Sequence, residues 1–355
     1  MNLKNLPLSN YGEALIPMSE QEFIASLPYL PRPEYPFPDL VNPLMYPLRE
    51  EYYRWIDEDY TFHSKIAREK HKTHVLSDIP ARAFPYLKSL EELFPITRYA
   101  VHGAMLDDYF DHCSCNEMQA IRERIMTLLT GEDEKEPTDL GIYRQFYWIR
   151  QDAIKCGMPS RLYNKFILTV DGILIGYAQE KRYIASDTPP PLPMYNIIRL
   201  DTSGGLPFCR YVCMQRDFRV LPDTVLDHPV LVRMYALAAL MIGYHNDIIS
   251  LPKEINRRGD VINIIKVVRH EYRVSWEEAY RIALDFHDEY KKEFMLLYDN
   301  LPNFGQWNEM AKDFVHALGI CLQGVYSWHV NDKHRYAPGG YVEGEFESRE
   351  FKWHE

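Results

Sequence analysis

The sequence predicts an all-α protein folded as a single-domain helical bundle. Apolar residues recur with helical periodicity through most of the chain after residue 45. No run alternates apolar and polar residues as a half-buried strand would. Segments rich in proline, glycine or charge divide the chain into lengths suited to helices. With 355 residues, 46% of them hydrophobic, the chain can bury a substantial core.

The first 45 residues are predicted to form an extended arm, because proline lacks an N–H group and restricts the residue before it. The arm also carries aromatic side chains, so we expect it to pack on the body of the protein. These aromatic residues are Phe23, Tyr29, Tyr35 and Phe37. The prolines between residues 28 and 43 are Pro28, Pro31, Pro33, Pro36, Pro38 and Pro43.

Helical periodicity dominates the rest of the chain. Pro95 suits a first helical turn, and residues 131–139, 187–193 and 203–205 are predicted breaks. Long helices are predicted near residues 46–70, 95–112, 116–130, 139–156, 160–186, 228–256, 274–299 and 307–332. Shorter helices are predicted near residues 87–93, 193–200, 207–216 and 260–271.

Composition narrows the function classes. The formal net charge is −11 and no dense Lys/Arg run occurs, so nucleic-acid binding is not expected. The most apolar stretch, residues 230–244, is too short to span a bilayer and contains Arg233, which predicts no stable membrane insertion. The first residues lack an apolar signal-peptide core, and the cysteines show no CxxC pair, so we expect a cytoplasmic protein. Because the net charge is negative, an anionic substrate would need local positive charge, such as bound metal ions.

A first acidic cluster, LDDYFDH, ends an apolar predicted helix. Asp107 and Asp111 are four residues apart and share a helix face, while Asp108 points about 100° away. Carboxylates that converge at such a helix end suit Mg²⁺, which prefers oxygen ligands. The simpler reading, a solvated acidic helix end, stays open because the pattern is short.

A second polar line prolongs another apolar helix in the stretch NDIISLPKE. Asn246, Ser250 and Glu254 follow one another at four-residue spacing and so share one helix face. An amide oxygen, a hydroxyl and a carboxylate in a row can ligate Mg²⁺. Lys253 adds a cation suited to a phosphate. This geometry assumes that the helix continues past Pro252.

Two clusters of oxygen ligands on two apolar helices predict a Mg²⁺ site at one end of an apolar cavity, suited to a diphosphate with a hydrocarbon tail. The chain thereby resembles the class I terpene synthases of the compact microbial type. The aspartate-rich motif is matched by DDYFD at 107–111, and the N-D-x-x-S-x-x-x-E motif by Asn246, Asp247, Ser250 and Glu254. The resemblance covers about residues 46–336, which we take as the synthase domain, between the arm at 1–45 and a tail at 337–355.

Further segments resemble the family in the same order along the chain. By this resemblance Arg199 senses the diphosphate, Thr202 is the linker residue, and the carbonyl of Ser203 or Gly204 acts as effector at a helix break. The family more often has an acidic linker. Near the carboxyl end, the residues that resemble the final helix and its Arg-Tyr pair are Gly324, Trp328, Arg335 and Tyr336.

The resemblance implies three Mg²⁺ ions that, together with Arg199, Lys253 and Arg335, neutralise the diphosphate of an acyclic prenyl substrate. Loss of diphosphate leaves an allylic cation, which aromatic rings and oriented carbonyls stabilise during cyclisation. Trp328 is the preferred aromatic candidate. The other aromatic candidates are Phe84, Tyr99, Tyr183, Tyr235 and Tyr326. A homodimer is a common arrangement of the family and stays an open option.

Two considerations on substrate length oppose each other. Gly103 and Ala104 lie one turn before Asp107, and Ala238 and Ala239 lie two turns before Asn246. Small residues on two walls favour a deep pocket and a longer tail such as geranylgeranyl diphosphate. Farnesyl diphosphate is the commoner substrate in the family, so the sequence places it slightly ahead and leaves a sesquiterpene or a diterpene product open.

Three other functions account for parts of the sequence less well. A chain-elongating prenyltransferase would need a second DDxxD motif where this chain has NDIISLPKE. An HD-type phosphohydrolase is disfavoured because Asp111-His112 has the reversed order. A non-catalytic helical scaffold would explain the periodicity but not the two ligand lines. The prenyltransferase and the scaffold stay as alternatives.

Overall fold

The computed structural model describes residues 18–60, 62, 64–110, 113–138, 141–331 and 333–336, and over them the fold is all-α, as predicted. The α-helices are α1 (Glu20–Ser26), α2 (Met45–Glu58), α3 (Lys65–Thr73), α4 (Asp78–Ala83), α5 (Leu90–Phe110), α6 (Cys115–Thr130), α7 (Ile142–Lys155), α8 (Ser160–Ser186), α9 (Leu192–Thr202), α10 (Gly205–Tyr211), α11 (Asp223–Leu226), α12 (Pro229–Glu254), α13 (Ile264–Tyr272), α14 (Trp276–Asp299), α15 (Asn308–Asn331) and α16 (Lys333–Tyr336). No strand occurs among the described residues. None of these helices is both long and apolar enough to cross a membrane.

Two predicted boundaries were wrong. The single helix expected over residues 46–70 is two helices, α2 and α3, because Ser64 starts a new one by accepting a hydrogen bond from Ala67 N at 3.0 Å. The helices predicted separately near residues 87–93 and 95–112 are one helix, α5, which begins at Leu90, so Pro95 lies inside it and not in its first turn. The Ser89 side chain accepts from Glu92 N at 3.2 Å and caps this earlier start.

Helix α12 lies at the centre of the bundle and packs against α9, α10, α13, α14 and α15. It is apolar around its circumference, and most of its residues between Leu231 and Leu251 are buried. A helix that is hydrophobic on all sides needs neighbours on all sides. The central position of α12 therefore follows from its composition and fixes where its polar carboxyl-terminal turns lie.

The described part of the arm, residues 18–44, packs on the body but is not wholly extended. Helix α1 precedes the prolines and is capped by the reciprocal Ser19–Glu22 box. Phe23 is fully buried and stacks on Trp276 at 6.0 Å between ring centroids. Tyr35 reaches deeper, because its hydroxyl lies 2.9 Å from His245 Nδ1.

The chain turns sharply between α9 and α10, where the SGG segment predicted a break. Ser203 N still donates to Arg199 O at 3.0 Å, but Gly204 adopts a left-handed conformation with φ +69°. Glycine reaches this region at little cost, unlike residues with a Cβ. Gly204 at this break lines a cavity between the helices, where the candidate site lies.

Candidate active site

A cavity of about 440 Å³ opens among α5, α8, α9, α10, α12 and α15. Its polar lining clusters around the carboxyl-terminal turns of α12, and the rest is largely apolar. The polar lining includes Arg199, Asn246, Lys253, Glu254, Arg257 and Arg335. The apolar lining includes Leu76, Tyr99, Phe146, Ile173, Phe208, Ile242 and Trp328. A mainly apolar pocket with a few grouped polar side chains is typical of small-molecule sites.

The second polar line keeps its helical register, because α12 continues past Pro252 to Glu254. Asn246 and Glu254 both line the cavity. Ser250 lies between them and is buried, with its Oγ 3.5 Å from Asp247 O. The three share one face of α12, with Asn246 and Glu254 at the cavity and Ser250 buried and not among the lining residues.

Both the oxygen and the nitrogen of the Asn246 side-chain amide are hydrogen-bonded. Its Oδ1 accepts from Arg199 Nη2 at 2.7 Å, and its Nδ2 lies 3.0 Å from both Tyr336 Oη and His329 Nε2. His329 Nδ1 lies 3.0 Å from Val325 O, a pure acceptor, so Nδ1 carries the proton and Nε2 accepts from Asn246. Burial lowers the pKa of His329 to about 3, which keeps this ring neutral.

Asp247, the neighbour of Asn246, points away from the cavity lining and is fully buried. It accepts from Arg199 Nη2 at 2.5 Å, from Ile264 N at 2.7 Å and from the Tyr195 hydroxyl. Burial raises the pKa of Asp247 to about 6, against the opposing effect of the Arg199 charge. Asp247 therefore anchors Arg199 and does not line the cavity.

Glu254 is oriented by residues that follow it. Asn263 Nδ2 donates to Glu254 Oε2 at 2.9 Å and to Asp247 O at 2.8 Å, while Lys266 Nζ donates to Glu254 O. The donor set on this face of α12 is an amide oxygen, a hydroxyl and a carboxylate, which fits a hard cation such as Mg²⁺. No group of three or more His, Cys, Asp or Glu side chains gathers around a metal position among the described residues.

Two of the three predicted aspartates stand on α5. Asp107 and Asp108 belong to its last turn, and Gly103, one turn earlier, lines the cavity. Asp111 lies outside the described residues. The metal-binding roles of these three residues stay predictions.

The helix break brings its predicted residues to the cavity. Arg199, Thr202, Ser203 and Gly204 all line it. Helix α12 can approach Arg199 closely because residue 243 is a glycine, whose added Cβ would lie 2.9 Å from Arg199 Cγ. The left-handed residue is Gly204 and not Ser203. The sensor, linker and effector roles stay predictions.

The cations predicted to meet a diphosphate are also at the cavity. Lys253 and Arg335 line it, as does Tyr336. Two further cations, Arg257 and Arg258, line the same cavity and were not predicted. Their signal was present in the sequence, since Arg257 follows Glu254 by three residues and could have been read as prolonging the polar line.

Of the aromatic candidates, Trp328 and Tyr99 line the cavity, and Phe84, Tyr183, Tyr235 and Tyr326 are not among the lining residues. Trp328 is buried and its Nε1 donates to His74 O at 3.3 Å. Phe146, Tyr177 and Phe208 also line the cavity, although the sequence analysis did not predict them. They lie on other helices, so no local motif marks them.

Of the two pairs of small residues predicted to deepen the pocket, only the pair on α5 lines the cavity. Gly103 and Ala104 line it, whereas Ala238 and Ala239 are fully buried and do not. Ala239 instead packs closely against α10 at Gly205. A Cβ added to Gly205 would lie only 2.9 Å from Ala239 Cα. The small residues of α12 thus serve helix packing.

Comparison with known proteins agrees with this geometry. Residues 98–293, more than half of the chain, match the family model of terpene synthase family 2, C-terminal metal binding. The chain is similar to Sesquiterpene synthase 9 of Postia placenta, with 23% identity over 83% of this chain and 84% of that protein. It is also similar to a 7-epi-alpha-eudesmol synthase ((2E,6E)-farnesyl diphosphate cyclizing) of Streptomyces viridochromogenes, with 26% identity over 82% and 88% of the two chains.

The fold is shared with a solved structure. The crystal structure of a-eudesmol synthase superposes with a TM-score of 0.71 at 22% identity, covering 85% of this chain and 99% of the other. At this identity the likeness concerns the fold alone.

Proposed function

Because the chain belongs to the terpene synthase family, in its microbial class I form, we propose that it ionises farnesyl diphosphate and cyclises the resulting cation to a sesquiterpene. One observation carries the proposal: a single cavity joins a cationic, oxygen-rich lining at the end of α12 to an apolar and aromatic lining. A prenyl diphosphate has the same division, with a charged head and a hydrocarbon tail.

The head of the substrate would meet the cationic lining. Arg199, Lys253 and Arg335 offer positive charge, and Arg199 is held ready by Asp247. Bidentate guanidinium groups suit phosphate oxygens. Arg257 and Arg258 add two further cations at the same lining.

The residues present fit the Mg²⁺ that the family description and the fold imply. Asn246, Ser250 and Glu254 would hold it from α12, and Asp107 and Asp108 from the end of α5, together with Asp111 of the same sequence motif. When bound, Mg²⁺, expected as three ions, would neutralise the diphosphate and favour its departure. The chain's own contribution is to orient the side-chain oxygens of Asn246 and Glu254, through Arg199 for Asn246 and through Asn263 for Glu254.

The tail of the substrate would lie against the apolar lining. Departure of diphosphate with the bonding electron pair leaves an allylic cation, and no side chain needs to form a bond to it. The ring faces of Trp328, Phe208 and Tyr99 and the carbonyl at Gly204 offer negative potential to a moving positive charge. The final proton can pass to the departed diphosphate, so no side-chain base is required.

The choice of farnesyl over geranylgeranyl diphosphate is supported by the relatives. The similar proteins of Postia placenta and Streptomyces viridochromogenes are named as a sesquiterpene synthase and a farnesyl diphosphate cyclase. The cavity, at about 440 Å³, falls within the usual range of ligand pockets of about 300–1,000 Å³.

The test is turnover with defined substrates. Purified protein and Mg²⁺ would be incubated separately with geranyl, farnesyl and geranylgeranyl diphosphate, and hexane extracts analysed by gas chromatography–mass spectrometry. We expect a cyclic hydrocarbon or alcohol of fifteen carbons from farnesyl diphosphate. Cyclic products from geranylgeranyl diphosphate alone would overturn the substrate assignment. Elongated diphosphates formed only with isopentenyl diphosphate would overturn the cyclase in favour of a prenyltransferase.

A further inference from the structure

The break between α9 and α10 carries a contact that the reaction described above does not use. The Tyr99 hydroxyl, on α5, donates a hydrogen bond to the Gly204 carbonyl oxygen at 3.0 Å. Tyr99 and Gly204 both line the cavity. The two residues are 105 positions apart in the chain, so the contact ties two walls of the cavity together.

Packing holds the Tyr99 ring from both sides. Its centroid lies 6.0 Å from that of Phe166 and 5.8 Å from that of Phe208, both in edge-to-face arrangements. Burial raises the pKa of Tyr99, so the hydroxyl keeps the proton that it donates. The ring therefore presents its hydroxyl at one place.

A side chain at position 204 would crowd this hydroxyl and strain the backbone. A Cβ at position 204 would lie 3.2 Å from Tyr99 Oη, and φ is +69°. Gly204 is also the N-cap of α10, so its carbonyl takes part in the first turn of that helix. The hydrogen bond from Tyr99 adds a second restraint on the direction of this carbonyl and ties it to α5.

A carbonyl dipole on a cavity wall stabilises positive charge most when its direction is set before the charge arrives. We propose that Tyr99 is a positioning residue that, through the Gly204 carbonyl, determines which carbocation is favoured and hence the product composition. The proposal rests on the proposed function, because it requires a cationic reaction in the cavity.

The first test replaces Tyr99 by phenylalanine, which keeps the ring and removes the hydroxyl. Products from farnesyl diphosphate would be compared per diphosphate released, by gas chromatography–mass spectrometry. The share of the main wild-type product should fall about threefold or more in Tyr99→Phe, since competing cation fates differ by small barrier heights. An unchanged product ratio would refute the positioning role.

The chain offers a matched control in Tyr211. Its hydroxyl donates to the Glu92 carbonyl at 2.7 Å, and its ring packs edge-on against Phe84 and Phe166. Tyr211 is buried but does not line the cavity. Tyr211→Phe therefore removes an equivalent buried hydrogen bond and should keep the wild-type product ratio. An equal change of the product ratio in both variants would show that the effect comes from general destabilisation and would overturn the proposal.

A second measurement needs no turnover. The sequence contains two Gly-Gly pairs, Gly204–Gly205 and Gly339–Gly340, so glycine labelled with carbonyl ¹³C and with ¹⁵N gives two correlated amide–carbonyl signals. Loss of a hydrogen bond shields a carbonyl carbon, so Tyr99→Phe should move the Gly204 carbonyl signal upfield, while Tyr211→Phe should not. No movement in Tyr99→Phe would refute the contact itself. Wild-type protein that turns over no prenyl diphosphate would instead refute the proposed function.

Discussion

At the scale of single residues, Asn246 and Asp247 have separate tasks although they are neighbours. Arg199 Nη2 contacts both side chains, at 2.7 Å and 2.5 Å. Asp247 is fully buried and anchors the guanidinium, while Asn246 lines the cavity. Removing one member of a buried ion pair leaves the other charge uncompensated. The polar residues beneath the cavity wall are therefore as necessary to the site as those that face it.

The role of Asn246 can be tested by Asn246→Ala. We expect diphosphate release from farnesyl diphosphate to fall at least about 100-fold, because an oxygen donor and the partner of Arg199 are lost together. Rates would be measured across a range of Mg²⁺ concentrations, with circular dichroism to verify the fold. Asn196→Ala is the control, since Asn196 also accepts a side-chain hydrogen bond, from Tyr244 at 2.8 Å, outside the cavity lining. Near wild-type turnover by Asn246→Ala would contradict its assignment as a ligand.

A buried histidine predicts how stability depends on pH. Burial lowers the pKa of His102 to about 3, below its usual 6.5, so the unfolded chain binds a proton that the folded chain does not. Its contribution to stability is therefore present above pH 6.5 and is lost as the pH falls below it. Between pH 7 and pH 5 we expect a loss of about 2 kcal/mol from this group.

Urea unfolding at pH 7 and pH 5 measures this effect. His102→Asn should unfold with a smaller difference between the two pH values than the wild type. The exposed His270 serves as the control, and His270→Asn should keep the wild-type difference. An identical pH dependence in wild type and His102→Asn would show that His102 does not contribute.

At the scale of helices, glycines decide how closely pairs of helices pack. Helix α15 contacts the backbone of α4, because a Cβ on Gly324 would lie 2.4 Å from the Arg82 carbonyl. This contact brings Trp328, one turn later on α15, to the cavity. Backbone atoms cannot move aside as a flexible side chain can, so the approach requires glycine at this position.

Gly324→Ala should therefore destabilise the protein by about 1–3 kcal/mol, the usual cost of overpacking. Gly103→Ala is the matched control, because its added Cβ would meet only Tyr99 Cε2 at 3.9 Å within 4 Å. Alanine in a helix is favoured over glycine by about 1 kcal/mol, so Gly103→Ala should unfold at equal or higher urea concentration. Equal stability of Gly324→Ala and the wild type would show that α15 and α4 can separate without cost.

At the scale of the whole molecule, the cavity exists because several helices meet around the polar end of α12. The arm closes the core from outside, where Tyr35 contacts both His245 and His287. Helix α16 returns to the cavity at the other end of the chain and places Tyr336 Oη 3.0 Å from Asn246 Nδ2. Both ends of the described chain thus support the site.

The depth of the cavity is tested at Gly103, on its α5 wall. A phenylalanine ring there occupies space that a longer hydrocarbon tail needs. We expect Gly103→Phe to lower turnover of geranylgeranyl diphosphate about tenfold more than turnover of a shorter substrate, a size discrimination typical of apolar pockets. Leu168→Phe on the exposed face of α8 is the control and should affect all substrates alike. Equal losses for long and short substrates in Gly103→Phe would contradict a role of Gly103 in tail length.

Local sequence determines much of this protein. Helical periodicity and breakers depend on neighbouring residues, so they predicted the long helices, the break at Gly204 and the shared face of Asn246, Ser250 and Glu254. The family motifs belong to the same local level. The start of α5 was predicted at Pro95, but the Ser89 side chain caps the helix earlier and leaves the proline inside it.

Only the tertiary structure decided which distant residues meet. The contacts of Arg199 with Asp247 and of Tyr99 with Gly204 join elements that are far apart in the chain. The cavity aromatics Phe146 and Phe208 likewise come together only in the packed bundle. Helical spacing specifies the face on which a side chain lies, whereas its partner depends on how helices pack, and that is set by shape across the whole core.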